Sequence, residues 1–505
     1  MSDSSKTALT GHQVVIAGGG PTGLMLAAEL ALAGVDAAIV ERRPDQNLPG
    51  SRAGGLHSGT LEAFDRRGIA DRFISEGQVA QIGQFAGVSF SIDDFPTRHP
   101  YSLGLWQNHI ERILADWVEE FPVTFYRGRE VTGFEQDPSG VAVELDDGRT
   151  LRGEYLVGCD GGRSVVRKLA GIDFPGWDET SSSLIAEAEF AEEAEWGTTH
   201  DDLGVHGIGR VDYEMKDGEI VWADSGPVRI MVTEKDVGKG AEPSLEELSK
   251  GLIAVYGTDF GVHSPTWISR FTDAARQAES YRDRRVLLAG DAAHIHSPDG
   301  AQGLQTGVQD AANLGWKLAQ VINGTTPDSL LDSYQDERHP VGARVLRNTM
   351  AHVALRRPDA RTGALREVIA EMLEAEEARR RIAAMTFGLD IHYDFGEGHP
   401  LLGRRMPDLD LVTDEGPLRA FELLREARPV LINLGPTGSI DITGWKGRVQ
   451  SIDAEFTDTW ELPVIGTVDS PAAVLVRPDG YVAWVGEGSD AGLTEALTTW
   501  FGPAS

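Results

Sequence analysis

The sequence predicts an α/β fold built on a parallel sheet that is covered by helices on both faces. The apolar run Val14–Ala17 has the character of a buried parallel strand, and it leads directly into a glycine-rich turn and a helical segment. Two later apolar segments each end close to an aspartate, Asp160 in one and Asp291 in the other. Ligands of such sheets bind at the carboxyl ends of the strands, so the same observations predict where the functional site lies.

The glycine-rich turn has the pattern of a dinucleotide-binding loop. The residues that give it this pattern are Gly18, Gly20, Pro21, Thr22 and Gly23. Glycines allow a tight turn and a close approach of the backbone to a pyrophosphate, and the following helix presents its N–H groups to the phosphates. The next strand ends in Glu41, 18 residues after Gly23, where a carboxylate can accept hydrogen bonds from both hydroxyls of an adenosine ribose. This complete context favours a bound dinucleotide over a loop that serves only as a turn.

Three motifs in a fixed order carry a resemblance to a known enzyme family. The glycine turn is followed by residues 155–167, which contain Cys-Asp-Gly, and by residues 285–294, which contain Gly-Asp. In order and spacing these motifs resemble those of the single-component (class A) FAD-dependent aromatic monooxygenases, which share the 4-hydroxybenzoate hydroxylase fold. Shorter segments look like those of rifampicin monooxygenase and the aromatic polyketide hydroxylases, and they cover residues 257–265, 274–279 and 396–405.

The resemblance implies three domains. Residues 1–180 and 271–398 would form a discontinuous, Rossmann-like FAD-binding domain that ends in a helical linker. Residues 181–270, together with part of 76–105, would form an inserted substrate-binding domain with a mixed sheet. Residues 399–505 look like the thioredoxin-like C-terminal domain of the polyketide hydroxylases. They contain no cysteine, so dithiol redox chemistry is excluded there and a structural role is expected.

The resemblance also implies which residues bind FAD. Glu41 would contact the adenosine ribose, Arg52 the pyrophosphate region, and Gln107 the ribityl or phosphate portion. Asp291 would bind the ribityl hydroxyls. These residue types suit their partners, because a guanidinium pairs with an anionic pyrophosphate and carboxylates or amides bind hydroxyls. Further cofactor residues implied by the resemblance are Arg42, Asp160, Gly290 and Gln305.

Residues 298–304 would lie along the edge of the isoalloxazine ring. The resemblance assigns this contact to Pro298, Gly300, Gly303 and Leu304. No side chain is assigned a catalytic role. Where the family commonly has Pro-x-Gly-Gly-Gln-Gly-Leu-Asn, this chain has Asp299 and ends in Gln305, so we expect an added negative charge and altered contacts beside the flavin. A helix predicted over 310–323 follows, and its positive end is expected to stabilise negative charge on the reduced flavin.

The signals for a substrate site are fewer. Arg229 lies in a strand-like segment, residues 228–232, and the resemblance implies that it faces the substrate cavity. A surface or ion-paired position is the alternative, because arginine is seldom buried without a partner. Relatives often carry an arginine where this chain has Gly54 or Gly59, which predicts a less basic pocket beside Arg52.

The activity implied by the resemblance is that of an FAD-dependent monooxygenase. NADPH or NADH would bind transiently, since the chain has a single dinucleotide fingerprint, and would reduce a tightly but non-covalently bound FAD. O2 would then form a flavin C4a-hydroperoxide that hydroxylates a large, polycyclic aromatic substrate of the polyketide type, in antibiotic biosynthesis or inactivation. Two alternatives stay open: Baeyer–Villiger oxygen insertion or flavin-mediated oxidation of a polyketide, and a flavin-binding protein without productive oxygenation.

Composition argues against several other classes of protein. The 46 basic and 79 acidic residues give a net charge of −33, which disfavours nucleic acid and anionic membranes as partners. The single cysteine, Cys159, excludes an intramolecular disulfide and fits a reducing cytosol. Residues 1–7 lack an apolar signal core, and no apolar run is long enough to span a membrane.

Histidine spacing gives no indication of a metal site. His294 and His296 are two residues apart just after a strand, which is not a metal-ligand pattern by itself. We therefore expect no bound metal. We also expect a cytoplasmic protein that acts as a monomer or homodimer.

Overall fold

The computed structural model describes most of the chain and places its helices and strands. The described residues are 10–50, 52–85, 87–201, 203–211, 213–216, 219–222, 226–238 and 242–505. The helices are α1 (Pro21–Leu32), α2 (Ser58–Asp65), α3 (Ala70–Ile74), α4 (Gln107–Val118), α5 (Val165–Leu169), α6 (Leu245–Tyr256), α7 (Gly303–Ile322), α8 (Asp332–Leu355), α9 (Ala360–Leu373), α10 (Glu376–Phe387) and α11 (Leu493–Phe501). Short 3-10 helices span Gly290–Ala292, Asp328–Leu331, Ala420–Leu424 and Thr443–Trp445.

A mostly parallel sheet forms the centre of the first domain, as the sequence predicts. From one edge to the other its strands are Arg282–Asp283, Val286–Leu288, Tyr155–Gly158, Val14–Ala17, Ala37–Glu41 and Thr124–Arg127. The first pair is antiparallel and the other neighbours are parallel. The interior strands are short runs of fully buried apolar residues, as expected for a sheet covered on both faces.

Helix α7 differs from its prediction at one end. The sequence predicts a helix over 310–323, but the helix begins at Gly303 and ends at Ile322. Glycines at 303 and 307 have low helix propensity, and this obscured the first two turns. Tertiary packing supports them: a β-carbon at Gly307 would lie 2.4 Å from Oγ1 of Thr22, so the start of α7 rests directly on the glycine turn.

An antiparallel sheet lies mainly within residues 181–270, the predicted substrate domain. Its described strands are, in order, Gly197–Asp201, Gly204–Arg210, Val228–Thr233, Ser182–Glu189 and His263–Thr272. Side chains along each strand alternate between two faces. One face packs on α6 through an apolar cluster that contains Ile230 and Leu248. The other face is turned toward the first domain, since Ser269 on it accepts a hydrogen bond from Arg52.

A small hairpin packs against the helices that follow α7, and together they form a separate apolar cluster. Strands Ile82–Phe85 and Val88–Ser91 pair with each other, and Phe90 packs with Phe387 and other apolar residues of α8, α9 and α10. The sequence assigns part of 76–105 to the substrate domain. In the described part of the chain this hairpin adds no strand to the antiparallel sheet. The domain boundaries themselves stay a prediction.

The C-terminal domain contains its own sheet. Its strands are, in order, Gln450–Asp453, Val430–Asn433, Ala473–Val476 and Val482–Gly486. The first two are parallel and the later neighbours are antiparallel. Apolar residues of α11 pack on this sheet, with Leu497 and Phe501 in the same cluster as Leu431 and Leu475. The strands predicted over the two apolar segments of this region are therefore present.

Smaller sheets complete the described fold. One contains Thr10–Gly11, Thr150–Gly153, Gly140–Leu145 and Val131–Asp137; two others contain Gly55–Leu56, Ser102–Gly104 and Gln78–Ala80, and Gly176–Trp177, Ala275–Gln277 and His294–Ile295. Two-stranded pairs are Tyr213–Lys216 with Glu219–Trp222, Asp410–Thr413 with Gly416–Arg419, and Trp460–Leu462 with Gly466–Val468. The strand Gly55–Leu56 matters most for function, because it lies beside the start of α7.

Candidate active site

The three sequence motifs meet at the carboxyl edge of the parallel sheet. Gly18, Asp160 and Asp291 each lie within three residues of the end of a neighbouring parallel strand. A β-carbon at Gly18, whose φ is +105°, would lie 2.3 Å from the carbonyl oxygen of Cys159. The turns thus touch each other, and glycine is required at this contact because any side chain would clash with the neighbouring backbone.

The glycine turn leaves open space where a ligand can approach. Among the described residues, no atom outside the chain neighbours of Gly20 lies within 4 Å of the position that its β-carbon would take. Pro21 begins α1, where its fixed φ suits the first helical position and its missing N–H costs nothing. The N–H groups of a helix's first turn have no partners within the helix, so this end of α1 suits an anionic group.

Glu41 is a buried carboxylate that holds the glycine turn. Its Oε2 accepts a hydrogen bond of 2.6 Å from the N–H of Gly19, and its Oε1 accepts one of 2.9 Å from the N–H of Arg43. Burial opposes ionisation, yet the hydrogen bonds and charge of Arg43 and the N–H of Gly19 lower the pKa of Glu41 below its usual value. An ionised carboxylate has further acceptor sites, so the arrangement is compatible with the predicted ribose contact.

A local group of positive charges lies beside the Gly-Asp turn. Burial lowers the pKa of Arg52, and the nearby guanidinium groups of Arg163 and Arg42 lower it further. The carboxylate of Asp291 opposes this shift. Arg52 also donates a hydrogen bond of 3.0 Å to Oγ of Ser269. This concentration of arginines in a strongly acidic chain fits a pyrophosphate. Arg163 was not predicted as a site residue, although it belongs to the Cys-Asp-Gly motif.

Two further predicted residues use their side chains to fix the local backbone. Gln107 opens α4, and its amide oxygen accepts from the N–H of Ala53 at 3.2 Å while its amide nitrogen donates to Glu111 at 2.8 Å. Asp160 accepts hydrogen bonds from the first N–H groups of α5 through Oδ2. Among the described residues, Oδ1 of Asp160 is buried without a hydrogen-bond partner, which fits a donor on a bound cofactor.

The flavin-edge loop ends at the start of α7. Gly300 has a φ of +80°, and the helix begins at Gly303. A β-carbon at Gly303 would lie 3.6 Å from Nε2 of His296 and 3.8 Å from Oδ1 of Asp291. These are ordinary contact distances, and we call this position at the start of α7, which polar atoms border, the cradle. Leu304 follows in the first turn of α7, whose N–H groups lack partners from within the helix.

The two departures from the family motif are explained by contacts within the protein. The amide of Gln305 accepts from the N–H of His57 at 3.2 Å and donates to the carbonyl of Gly55 at 2.9 Å, so the longer side chain ties α7 to the neighbouring strand. Asp299 forms an ion pair with Arg356 at the end of α8. Arg356 thus offsets the charge of Asp299 within the protein, and the expected negative charge beside the flavin stays a prediction.

Arg229 is both ion-paired and on the inner face of the antiparallel sheet. It donates a hydrogen bond of 3.2 Å to Oε1 of Glu187, and its guanidinium lies 4.4 Å from the ring centroid of Trp106. Trp106 directly precedes Gln107, and a β-carbon at Gly54 would lie 3.1 Å from its ring. The indole thus occupies space beside the position where relatives often have an arginine. Trp106 and Glu187 were missed, although Trp106 adjoins a predicted residue.

These features fit a bound FAD. The open space at Gly20 and the end of α1 suit a pyrophosphate, the arginines suit its charge, and the unpartnered Oδ1 of Asp160 suits a hydroxyl. Over the described residues, no group of three or more His, Cys, Asp or Glu side chains is arranged to hold a metal ion. None of the helices in the described ranges combines the length and the apolar character that crossing a bilayer requires.

Comparison with known proteins decides the family. A family model described as FAD binding domain matches residues 11–349, and one described as aromatic-ring hydroxylase, C-terminal, matches residues 399–504. The chain belongs to the FAD-dependent aromatic-ring hydroxylases. The predicted family, the α/β fold class and the FAD cofactor are thereby confirmed. The protein is an FAD-dependent monooxygenase, and NAD(P)H and O2 are the usual co-substrates of its family.

Relatives cover nearly the whole chain. Rifampicin monooxygenase from Streptomyces venezuelae is 42% identical over 504 residues, which cover 97% of this chain and 99% of that enzyme. Dialkyldecalin synthase from Streptomyces rugosporus is 39% identical over 501 residues, with the same coverages. The solved structure of the OxyS anhydrotetracycline hydroxylase from Streptomyces rimosus has a TM-score of 0.87 and 42% identity, and the match covers 98% of this chain and 100% of that one.

Proposed function

We propose that this aromatic-ring hydroxylase adds a hydroxyl group to a polycyclic aromatic compound of the polyketide type, in the biosynthesis or inactivation of an antibiotic. The observation that carries the proposal is the inner face of the antiparallel sheet. Strand pairing aligns Glu187, Arg229 and Trp267 in one row and Ile185, Met231 and Ser269 in the next. A face that combines aromatic and aliphatic side chains with polar ones suits a flat polycyclic molecule with oxygen substituents.

The sheet and the flavin-edge loop enclose the proposed substrate space. Arg52 reaches from the first domain to Ser269, and a β-carbon at Gly50 would lie 2.3 Å from the ring of Trp267. These contacts join the inner face of the sheet to the first domain at one side of the proposed space. The anhydrotetracycline and rifampicin enzymes among the relatives act on large antibiotic molecules by name, which supports the same substrate class here.

The protein's own groups orient the reaction, and FAD supplies hydride acceptance from NAD(P)H and the activation of O2. In the proposal, the glycine turn and the start of α1 bind the pyrophosphate, Glu41 binds the adenosine ribose, and Asp291 binds the ribityl hydroxyls. The start of α7 directs N–H groups and a positive dipole end toward the flavin, which favours the negative charge that reduction brings. Arg229 and Trp106 orient the substrate from the opposite side.

Gly303→Ala tests the cofactor assignment. The added β-carbon meets only contacts of 3.6 Å or longer from the protein, so the fold should be kept, but it fills the cradle proposed for FAD. We expect FAD affinity to fall about tenfold or more, as tight overpacking against a ligand costs about 1–3 kcal/mol. Gly363→Ala in α9 is the matched control, because among the described residues no atom outside its own helix and chain neighbours lies within 4 Å of its β-carbon position, so FAD affinity should stay unchanged. Unchanged FAD affinity in G303A would remove the cradle from the proposed site.

The activity itself is tested by spectroscopy and turnover. The purified protein should show flavin absorption, and polycyclic phenols or naphthoquinones should stimulate NADPH oxidation and oxygen uptake. Ring hydroxylation and Baeyer–Villiger insertion each add one oxygen atom, so the product mass cannot separate them. NMR of the product would. A flavin-free protein that FAD does not reconstitute would contradict the cofactor assignment.

A second candidate is a flavoprotein without productive oxygenation. It is favoured by the altered flavin-edge loop, in which Gln305 contacts the protein backbone and Asp299 pairs with Arg356. The 39% identical dialkyldecalin synthase bears a name that describes no oxygenation, which supports this alternative. Substrate binding that stimulates neither NADPH oxidation nor oxygen uptake, together with a product of unchanged mass, would favour it.

The proposed setting is the cytoplasm, with the protein acting as a monomer or homodimer. The single cysteine and the net charge of −33 support this setting and argue against nucleic acid or anionic membranes as partners. Light scattering on the purified holoprotein measures the oligomeric state. A stable trimer or larger assembly would contradict this part of the proposal.

A further inference from the structure

His296 has one ring nitrogen whose state is fixed by its neighbour. Its Nδ1 lies 2.7 Å from the carbonyl oxygen of Ser297. Because a carbonyl oxygen can only accept, Nδ1 must carry the hydrogen and donate it. In the neutral ring, Nε2 is then a hydrogen-bond acceptor. Within the described part of the chain, this Nε2 is buried and has no hydrogen-bond partner.

The unpartnered nitrogen faces the cradle at the start of α7. The β-carbon position of Gly303 lies 3.6 Å from Nε2 of His296 and 3.8 Å from Oδ1 of Asp291, so both acceptors border the same small space. Burial and the neighbouring His294 lower the pKa of His296. The hydrogen bond to Ser297 and the charge of Asp291 act in the opposite direction. The net shift is downward, which keeps the ring neutral and Nε2 available as an acceptor near pH 7.

Two acceptors side by side require a ligand that offers several donors in a row. The isoalloxazine ring of FAD offers one N–H donor, whereas the ribityl chain carries consecutive hydroxyl groups. A buried acceptor that is left without a donor costs free energy, so a matching donor from the cofactor would remove a penalty that the protein alone retains.

We propose that His296 is an FAD-binding residue whose Nε2 accepts a hydrogen bond from a ribityl hydroxyl beside Asp291. This inference rests on the proposed function, in which Asp291 binds the ribityl chain. It adds a second anchor for that chain, two residues before the flavin-edge loop. The two anchors together fix the height of the isoalloxazine ring against the first turn of α7.

Two amide substitutions separate the acceptor from the rest of the side chain. The variant His296→Asn retains a donor for the Ser297 carbonyl, but its shorter side chain does not reach the position of Nε2. His296→Gln places an amide oxygen near that position and keeps an acceptor. The apoprotein of each variant is titrated with FAD, and the quenching of flavin fluorescence gives the dissociation constant.

We expect H296N to raise the dissociation constant for FAD about tenfold, the equivalent of one hydrogen bond to a buried acceptor, and H296Q to stay within about threefold of the unmodified chain. FAD analogues that lack a single ribityl hydroxyl identify the donor. The analogue that lacks the donor should bind the unmodified chain about tenfold more weakly than FAD does. On H296N, this analogue and FAD should bind with equal affinity. Thermal unfolding of the apoproteins checks that both variants are folded.

Three results would overturn the inference. H296N could bind FAD as tightly as the unmodified chain, or each analogue could lose the same factor in H296N as in the unmodified chain. Alternatively, FAD affinity could stay constant while the affinity for the aromatic substrate falls, which would assign His296 to the substrate. In all three cases a protein that remains yellow and oxidises NADPH leaves the proposed function intact, whereas failure of the unmodified apoprotein to bind FAD removes the proposed function itself.

Discussion

Two arginines in different regions of the molecule are each paired with a glutamate. They differ in whether the neighbouring carboxylates offset the effect of burial on the arginine's pKa. Arg477, in the C-terminal domain, is fully buried and donates to both carboxylate oxygens of Glu337 at 2.8 and 2.7 Å, as well as to Asp479. Glu337 also accepts from Asn313 at 2.6 Å and lies 3.0 Å from Nζ of Lys317. This cluster joins α7 and α8 of the first domain to the C-terminal domain.

The pair of Arg229 and Glu187 lies on the inner face of the antiparallel sheet. A hydrogen bond of 3.2 Å joins the two side chains, both residues are half-buried, and the guanidinium stacks on Trp106. Burial lowers the pKa of Arg229, and the charge and hydrogen bond of Glu187 do not offset that shift.

The difference lies in the balance between burial and compensating charge. Burial would lower the pKa of Arg477 too, but Asp479 and Glu337 reverse the shift, so its pKa is raised. Arg477 is therefore satisfied within the protein and acts as a structural link. Arg229 is held by Glu187 and Trp106 on the inner face of the sheet, where its positive charge would attract an electron-rich or anionic substituent of a substrate. The same residue types serve structure in one region and, in our proposal, recognition in the other.

The largest expected effect comes from removing the buried arginine. Arg477→Leu removes the guanidinium that pairs with the buried carboxylates of Glu337 and Asp479, so we expect the free energy of unfolding to fall by about 3–5 kcal/mol. Chemical denaturation of the holoprotein measures this. Arg72→Ala is the matched control, because Arg72 and Glu120 form an exposed pair worth about 0–1 kcal/mol. Equal effects of the two substitutions would contradict the structural role of the buried cluster.

Lys317 makes the stability of this cluster depend on pH. Burial, opposed by Glu337, lowers the pKa of Lys317 from 10.5 to about 8. Between these values the unfolded chain binds the proton and the folded protein does not, so stability rises with pH across this window. Relative to Lys317→Met, we expect the unmodified chain to gain about 3 kcal/mol between pH 8 and 10.5. Parallel stability curves for the two proteins would show that Lys317 titrates normally.

A smaller effect is expected for the pair of Arg229 and Glu187, and it should appear in substrate binding. Arg229→Gln removes the charge that faces the substrate space, so we expect KM for the aromatic substrate to rise about tenfold with a change in unfolding free energy of about 1 kcal/mol or less. Arg229→Lys keeps the charge but loses the planar stack on Trp106, so its KM should lie between those of the unmodified chain and Arg229→Gln. A loss of stability as large as that of R477L, with KM unchanged, would make Arg229 a structural residue as well.

The smallest effect is expected from Asp299→Asn. Asp299→Asn leaves the guanidinium of Arg356 without its partner, but Arg356 is the more exposed member of the pair and solvent screens its charge, so the flavin reduction potential should rise only slightly. Arg356→Gln leaves the less exposed carboxylate unpaired and should lower the potential by more, because nearby negative charge disfavours the reduced flavin. Potentiometric titration of both holoproteins measures the two shifts. Shifts of the same sign in D299N and R356Q would contradict the compensation of one charge by the other.

Much of the cofactor site could be predicted from the sequence because its determinants are local. The turn at Gly18, the acid at Glu41 and the turn at Asp291 depend on short segments in which each residue type has one physical reason to be there. The structure brings these residues together as expected. The start of α7 was placed seven residues too late, because Gly303 and Gly307 lower helix propensity locally and only contact with Thr22 reveals why the helix continues.

The amino-acid sequence alone predicted the family, the α/β fold class and the FAD cofactor, which are confirmed, and the order of the motifs that we propose form the cofactor site. The use of individual side chains, in contrast, depends on tertiary contacts. Arg356 reaches Asp299 from the end of α8, Gln305 binds the backbone of a strand 250 residues away, and Arg229 stacks on Trp106 from another sheet. Backbone turns follow from nearby residues, whereas the compensation of a charge depends on whatever distant segments the fold places beside it.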